Sequence, residues 1–209
     1  MFEISRPQNM PRVLIRELNA GHAEKIRMHF KNLGSEDRLL RFGMYTSDEM
    51  LDKYVNTINF HRDAIFGVFD NNLNLIGCAH LGYSASNLVI NSTAEFGVSV
   101  SAEGRGKGVG SALFKRAAIH ARITNIKVLY MHYLSRNKVM MHIAKKAGMS
   151  IEFSFGEADA YLTLLPSTNN SIVAEAVQAQ VADIDYAFKK NIRHSKSFLL
   201  NAFSFASTK

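Results

Sequence analysis

Arg105, Gly108 and Gly110 stand in the run Arg105-Gly106-Lys107-Gly108-Val109-Gly110-Ser111, which joins a strand-like segment, Ala94–Val100, to a segment of helix formers continuing to about Arg122. Such a junction can hold an anion with main chain alone. Glycines let the backbone come close to a ligand, and the free N–H groups of a helix's first turn point at it. Between Gly104 and Ile151 there are ten Lys or Arg residues and no Asp or Glu. The local field therefore reinforces the site and suits a ligand carrying several phosphates.

The spacing excludes two common glycine-loop chemistries. A Walker A loop needs Lys followed by Ser or Thr, and Lys107 is followed by Gly108. A dinucleotide fingerprint, G-x-G-x-x-G, needs its third glycine at the sixth position of the motif. Counting from Gly104 that position is Val109, and from Gly106 it is Ser111. What remains is R-x-x-G-x-G. Gly108 and Gly110 could instead serve only close helix–sheet packing, and that alternative stays open.

Other reactive residue types are less telling. Cys78 lies between Ile76 and Ala79 and reads as a core residue rather than a nucleophile. As the single cysteine it forms no internal disulfide, which fits a reducing cytoplasm. The eight histidines are scattered. His132 and His142 read as structural or surface residues, and no metal site is indicated.

The positioning elements follow from periodicity. Val13–Leu18 reads as a strand, and Asn19 as the cap of a helix carrying Ala23, Ile26, Phe30 and Leu33. Gly34 ends that helix. Ser35 starts a short helical stretch with Leu39, Leu40 and Phe42, and Thr46-x-x-Glu49 resembles a capping box before Leu51, Tyr54, Val55 and Ile58. A hairpin is expected from Ala64–Phe69, Asp70-Asn71-Asn72 and Leu75–Tyr83. Beyond the glycine loop come a helix over Val109–Arg122, a strand over Ile126–Leu134 and a short helix over Asn137–Ala147. Gly148 closes this last helix, and Asn137 is suited to cap it. Tyr161–Leu165 reads as a last strand stopped by Pro166. Strands joined through helices imply an α/β architecture, a mixed sheet with helices on its faces.

Residues 1–12 read as an arm, 13–166 as the domain and 167–209 as a C-terminal helical extension. In the extension Ser171 would cap a helix to about Lys190, with Ile172, Val173, Ala176, Val177, Ile184 and Phe188 as its apolar stripe. Two readings of that stripe stay open: packing back on the domain, or a homodimer contact. Phe198 to Phe205 is apolar and carries no structure signal. Hydrophobic residues at 47% and charged residues at 21% describe a globular chain. No apolar run approaches the roughly 20 residues that cross a bilayer. Met1 to Arg12 lacks the basic start and apolar middle of a signal peptide. The net charge of +7 fits nucleic acid, an acidic surface or a phosphorylated cofactor. Its concentration around the glycine run favours the cofactor, and no nucleic-acid motif is evident.

Glu95 on a strand, the glycine loop, an Ala-rich helix, a strand, and Asn137 opening a helix that ends in Gly148-Met149 occur in that order. Over Val13 to Leu165 this resembles the GNAT superfamily of N-acetyltransferases. Across Ala94–Leu165 it is most similar to the GNAT domain of bacterial protein lysine acetyltransferases, as is the segment Glu36-Asp37-Arg38…Arg41-Phe42. The resemblance implies a mainly antiparallel central sheet flanked by helices, and acetyl-CoA as cosubstrate. It implies that the amides of Arg105, Gly106, Lys107, Gly108, Val109, Gly110 and Ser111 wrap the pyrophosphate. Val98, Ser99 and Val100 would bond the pantetheine arm like an added strand, and an N–H there would polarise the thioester carbonyl. Asn137 would bond the arm from the next helix.

Acyl transfer to nitrogen needs a neutral amine. For a lysine this costs roughly 4–5 kcal/mol at pH 7, and for an α-amino group about 1 kcal/mol. The resemblance makes Glu95 the base, acting directly or through water, with partial burial raising its pKa. Its structural alternative is a strand-end carboxylate or an ion pair. Many family members carry a tyrosine on the helix after Asn137 that protonates the departing thiolate. This chain has Ala144 there, as the lysine-acetylating group also lacks the tyrosine. Tyr133 and Ser135 are the nearby hydroxyls, and neither is assigned that role. The acceptor, a protein lysine or a small amine, would be walled by Ser35–Asp48 and Ala64–Tyr83. A non-catalytic acyl-CoA-binding module is the competing reading, and Ala144 is the feature that favours it.

Overall fold

The computed structural model describes residues 13–83, 93–166, 180–187 and 189–190. Seven strands form one sheet in the order β1-β2-β3-β4-β5-β7-β6. They are β1 (Arg16–Leu18), β2 (Ala64–Phe69), β3 (Leu75–Tyr83), β4 (Thr93–Val100), β5 (Val128–Leu134), β6 (Ser150–Ser154) and β7 (Glu157–Thr163). Only β4 and β5 run parallel, because the crossover helix α4 (Val109–Ile123) lies between them in the chain. All other neighbours are antiparallel.

Helices cover both faces. α1 (Ala23–Lys31), α2 (Ser35–Phe42) and α3 (Asp48–Thr57) lie on one side, and α4 and α5 (Lys138–Lys146) on the other. Strand alternation sends apolar side chains both ways and makes two cores. Ile26, Phe30, Leu51, Val55, Ile65 and Cys78 pack under α1 and α3. Phe66, Leu81, Phe96, Leu113, Leu129 and Met131 pack under α4 and α5. Each of these fully buried large side chains contributes about 1.5–3 kcal/mol.

Local chemistry sets most boundaries. The Asn19 side chain accepts from Gly21 N–H and starts the 3-10 turn Ala20–His22 that leads into α1. In the β2–β3 hairpin, Asp70 Oδ1 accepts from the N–H groups of Asn72 and Asn74 at 2.8 Å each. Asn137 caps α5 by accepting from Met140 N–H at 3.1 Å, and Gly148 follows with φ 70°.

Four sequence expectations change. Val13 to Ile15 precede the strand, which is only Arg16–Leu18. The cap of α3 is Ser47, whose Oγ accepts from Met50 N–H, and Thr46 bonds to Met44 O instead. The last strand is a hairpin, β6–β7, centred earlier than Tyr161–Leu165. Ser-Ile-Glu-Phe-Ser is a mostly exposed edge strand with little apolar signal, so β6 escaped notice. Its turn residues Phe155 and Gly156 both have positive φ, 46° and 89°, as tight hairpin turns require. In the extension, residues 180–187 are helical and pack back on the domain. Asp183 pairs with Arg16 at 2.9 Å, and Tyr186 stacks edge-on against Phe69 and His22. Ile184, expected in the apolar stripe, is exposed because Ala182 and Tyr186 face inward. Ser171, Ile172, Val173, Ala176, Val177 and Phe188 lie outside the described residues, as do Met1 to Arg12 and Phe198 to Phe205.

Candidate functional site

The parallel pair β4–β5 is joined only at Thr93/Val128, Ala94/Leu129 and Glu95/Tyr130. Beyond Glu95 the two strands part company. β4 stays paired with β3 as far as Val100, and β5 with β7 as far as Leu134. The edge of β4 from Phe96 to Val100 that faces β5 therefore has no strand partner. Its main-chain groups line a cleft walled by Leu40, Arg41, Val98, Ser99, Val100, Arg105, Gly110, Asn137 and Ile143, among others.

The glycine loop closes one end of this cleft. Gly106 and Gly108 have φ of 71° and 72°, and a Cβ on either would meet no atom within 4 Å. Conformation demands glycine there, and packing does not. Gly108 is the N-cap of α4, with no side chain capping the helix's first turn. At Gly110 a Cβ would touch Ile143 at an ordinary 3.5 Å, so tight packing does not require that glycine either. Val109 is buried, its side chain filling the space above Gly77, while Ser111 is partly exposed and Lys107 exposed. The loop is thus an open main-chain cradle at a fifteen-residue helix's positive end.

α2 crosses the cleft and is held at both banks. Asp37 binds the Arg105 guanidinium, Glu36 faces Arg136 at 3.4 Å, and Asn137 Nδ2 donates to Leu40 O at 3.4 Å. No residue of α2 is fully buried, so these polar ties and its partly covered apolar side chains hold it in place. A polyphosphate entering the cradle competes with Asp37 for Arg105.

Ser99 faces the α1 side of the sheet and is buried. Its hydroxyl stands 2.8 Å from His29 Nε2, and His29 Nδ1 stands 2.7 Å from Leu75 O. A carbonyl only accepts, so Nδ1 carries the proton and Nε2 accepts from Ser99. Burial pushes the His29 pKa down to about 4, with the Arg41 charge adding to the drop. Because the folded value lies below the usual 6.5, the unfolded chain takes up the proton first as pH falls. His29 therefore stabilises the fold fully above pH 6.5, and about 3 kcal/mol is lost as pH drops through 4. Urea unfolding at pH 7 and pH 4.5 should show this loss, and His29→Gln should flatten the pH dependence.

Glu95 lies where β4 and β5 begin to part, and it is exposed, not partly buried as expected. It sits on the face where α2 reaches β5 and the outward residues of β6 and β7 are half-buried or exposed. Strand register puts Glu95, Tyr130, His132, Glu152, Glu157, Asp159 and Tyr161 on that one open face. Tyr130 O–H donates to Asp159 at 2.6 Å, and His132 Nδ1 stands 2.8 Å from the same carboxylate. The Asp159 hydrogen bond raises the His132 pKa, with burial opposing it. His142 is exposed. Cys78 is buried, and burial lifts its thiol to about 12, which suits a core residue. Ala144 is fully buried. Tyr133 is buried against Met141, and Ser135 donates to Gly156 O.

A model of the acetyltransferase (GNAT) domain matches residues 12–150, well over half of the 209 residues. The chain belongs to the GNAT acetyltransferase family. The GNAT domain of S. lividans PAT is similar in fold, with 20% identity and a TM-score of 0.61 over 72% of this chain and 89% of that one. A GNAT-family acetyltransferase from Streptococcus pneumoniae matches at 16% identity and TM-score 0.57 over 73% and 100%. Spermidine N-acetyltransferase from Vibrio cholerae, solved with CoA and spermine, matches at 24% identity and TM-score 0.54 over 71% and 94%. No curated protein matches the chain. No described helix is long and apolar enough to cross a membrane.

Sequence reasoning on this GNAT domain missed a polar chain beside the cleft. Arg41 Nη2 donates to Tyr54 Oη at 3.0 Å, and Tyr54 Oη stands 2.6 Å from His80 Nδ1. His80 Nε2 is 3.2 Å from Asp63 Oδ2, off the line of a good hydrogen bond. Burial lowers the His80 pKa, and the Arg41 charge lowers it further. Burial alone would raise Asp63, but Arg62, the Tyr83 N–H and His80 outweigh it and hold the carboxylate low. These residues are scattered over α2, α3, the turn before β2, and β3. No spacing rule links them.

Proposed function

We propose that this protein is an acetyl-CoA-dependent N-acetyltransferase that acetylates a cationic amine by direct attack in a ternary complex. One observation carries the reading. The glycine cradle at the α4 N-terminus and the unpaired β4 edge line one cleft, and Glu95 follows on the same strand where β4 and β5 begin to part. That order matches a ligand with a diphosphate at one end, an amide-bearing arm in the middle and a reactive acyl group at the other.

The amides from Arg105 to Ser111 would take the pyrophosphate, with Arg105 and Lys107 adding charge. Val98, Ser99 and Val100 would pair with the arm as a missing strand would, and His29 fixes the middle of that strand through Ser99. Asn137 caps α5 and presents its amide at the cleft wall, so its two roles are compatible. Glu95 would receive the amine proton.

The open face next to Glu95 favours a cationic acceptor. Its strands carry Glu95, Glu152, Glu157 and Asp159 against His132, with no Lys or Arg at their face positions. The chain's positive charge lies elsewhere, around the loop and α4. A protein lysine and a polyamine both suit that face. The Vibrio cholerae structure, with CoA and spermine, supports the general class.

The test is CoA release from acetyl-CoA across a panel of lysine peptides, polyamines and neutral-chain amines, alongside calorimetry of acetyl-CoA binding. Turnover should appear with cationic acceptors. Binding without turnover over the whole panel would establish the non-catalytic module instead.

A further inference from the structure

Arg41 is an ion without a counter-ion. Its guanidinium lies among Phe30, Phe42 and Tyr54, 4.9–5.9 Å from their ring centres. Its hydrogen bond goes to the neutral Tyr54 hydroxyl, and its buried Nε has no partner. No carboxylate pairs with it among the described residues. Ring faces offset part of the desolvation cost, yet a half-buried cation with a buried, unpartnered Nε is costly unless an anion visits it.

The space for it is reserved in the sequence. A Cβ on Gly97 would stand 2.7 Å from the guanidinium carbon, so β4 needs glycine there for Arg41 to lie against it. Gly97 is two positions from Glu95 on the same face of β4, beyond the stretch Val98–Val100. Arg41 also lines the cleft. Base and cation thus stand together at the end of the unpaired edge where, on the reading above, the thioester would lie. Meanwhile Ala144 is fully buried and carries no hydroxyl, and Tyr133 and Ser135 are engaged elsewhere, so none of these three is placed to protonate a leaving thiolate.

We propose that Arg41 is the catalytic cation of the transfer: pressed on Gly97 and oriented by Tyr54, His80 and Asp63, it stabilises the CoA thiolate as the carbon–sulfur bond breaks. The amine nitrogen bonds to the acyl carbon, and the C–S electron pair goes to sulfur beside the guanidinium. The nitrogen's proton goes to Glu95, and the thiolate takes its proton from water after leaving the cation. Tyr54 and His80 are positioning residues. Neutral His80, with Nε2–H towards Asp63, accepts the Tyr54 proton, which turns the phenol's lone pairs to Arg41. The inference rests on the acetyl-transfer reading, and its test does not need the acceptor to be known.

The thiol of CoA bound to the protein is titrated by thiolate absorbance, beside free CoA. In the wild type the bound thiol should ionise about one to two pH units lower than free CoA, as an adjacent cation dictates. In Arg41→Met and Arg41→Gln the depression should vanish, in Arg41→Lys it should partly persist, and in Tyr54→Phe it should shrink. With an active acceptor, Arg41→Met should lower kcat roughly 10²-fold or more while KM for acetyl-CoA moves within about threefold, the size of effect known for one lost oxyanion donor. A wild-type bound thiol that ionises like free CoA overturns the proposal whatever the variants do. So does an equal depression in wild type and either uncharged variant. Failure of the wild type to bind CoA at all defeats the cofactor reading itself, a result distinct from both.

Discussion

Replacing Glu95 by glutamine should lower kcat for a lysine-type acceptor by roughly 10²–10⁴-fold while leaving acetyl-CoA affinity unchanged. The physical reason is the cost of the neutral amine. The neutral, reactive form of a lysine lies roughly 4–5 kcal/mol above the protonated form at pH 7, so a positioned proton acceptor matters greatly. For an acceptor whose amine ionises near 8 the deficit is only about 1 kcal/mol, and the same substitution should cost much less. Comparing the loss for a lysine peptide and for an α-amine therefore reports how much the base contributes. The glutamine side chain keeps the shape, and Glu95 is exposed, so the fold should be untouched. An unchanged kcat in Glu95→Gln would make Glu95 a plain surface carboxylate.

Gly108→Val should weaken acetyl-CoA binding by about 10²-fold or more with little effect on stability. A Cβ at Gly108 meets no atom within 4 Å, so the substitution builds no clash inside the protein. Its penalty comes from φ of 72°, which a β-branched residue resists. Left-handed backbone costs about 1–2 kcal/mol for an ordinary residue, and the chain can relax by turning the loop amides. Those amides are what the diphosphate would need. Losing two hydrogen bonds to a charged group, at about 1.5–3 kcal/mol each, accounts for the affinity change. Gly156→Val is the matched control. It puts the same strain, at φ of 89°, into the β6–β7 turn. Calorimetry should show undiminished acetyl-CoA binding in that variant and a large loss in Gly108→Val. Equal affinities would mean that the loop does not grip the ligand.

The amino-acid sequence alone determined the parts whose signal is local. The strand–glycine–helix junction was legible because Gly106 and Gly108 occupy a backbone conformation that few other residues adopt. The cap at Asn137, the β2–β3 hairpin and the inward faces of α1 and α5 were legible for the same reason: each depends on residues within a turn or two. Edge strand β6 was not, because a half-solvated edge imposes no apolar period. The capping residue of α3 was displaced by one, since Thr46 and Ser47 are both chemically able to cap and only the backbone path chooses between them.

Tertiary structure alone decided the rest. Whether β4 and β5 stay paired or part after Glu95 depends on how α4 and α5 seat beneath them, and that parting creates the cleft. The acidic open face exists because the β6–β7 hairpin shares one register with β5 and the distant strand β4, although the whole molecule is basic. In the sequence Arg41 figures only within the segment Glu36-Asp37-Arg38…Arg41-Phe42, with no role attached to it. Only when α2 lies over β4 does its charge meet a glycine, three aromatic rings and a tyrosine hydroxyl held by a histidine. Pairings of that kind are set by distance in space, and spacing along the chain carries no trace of them.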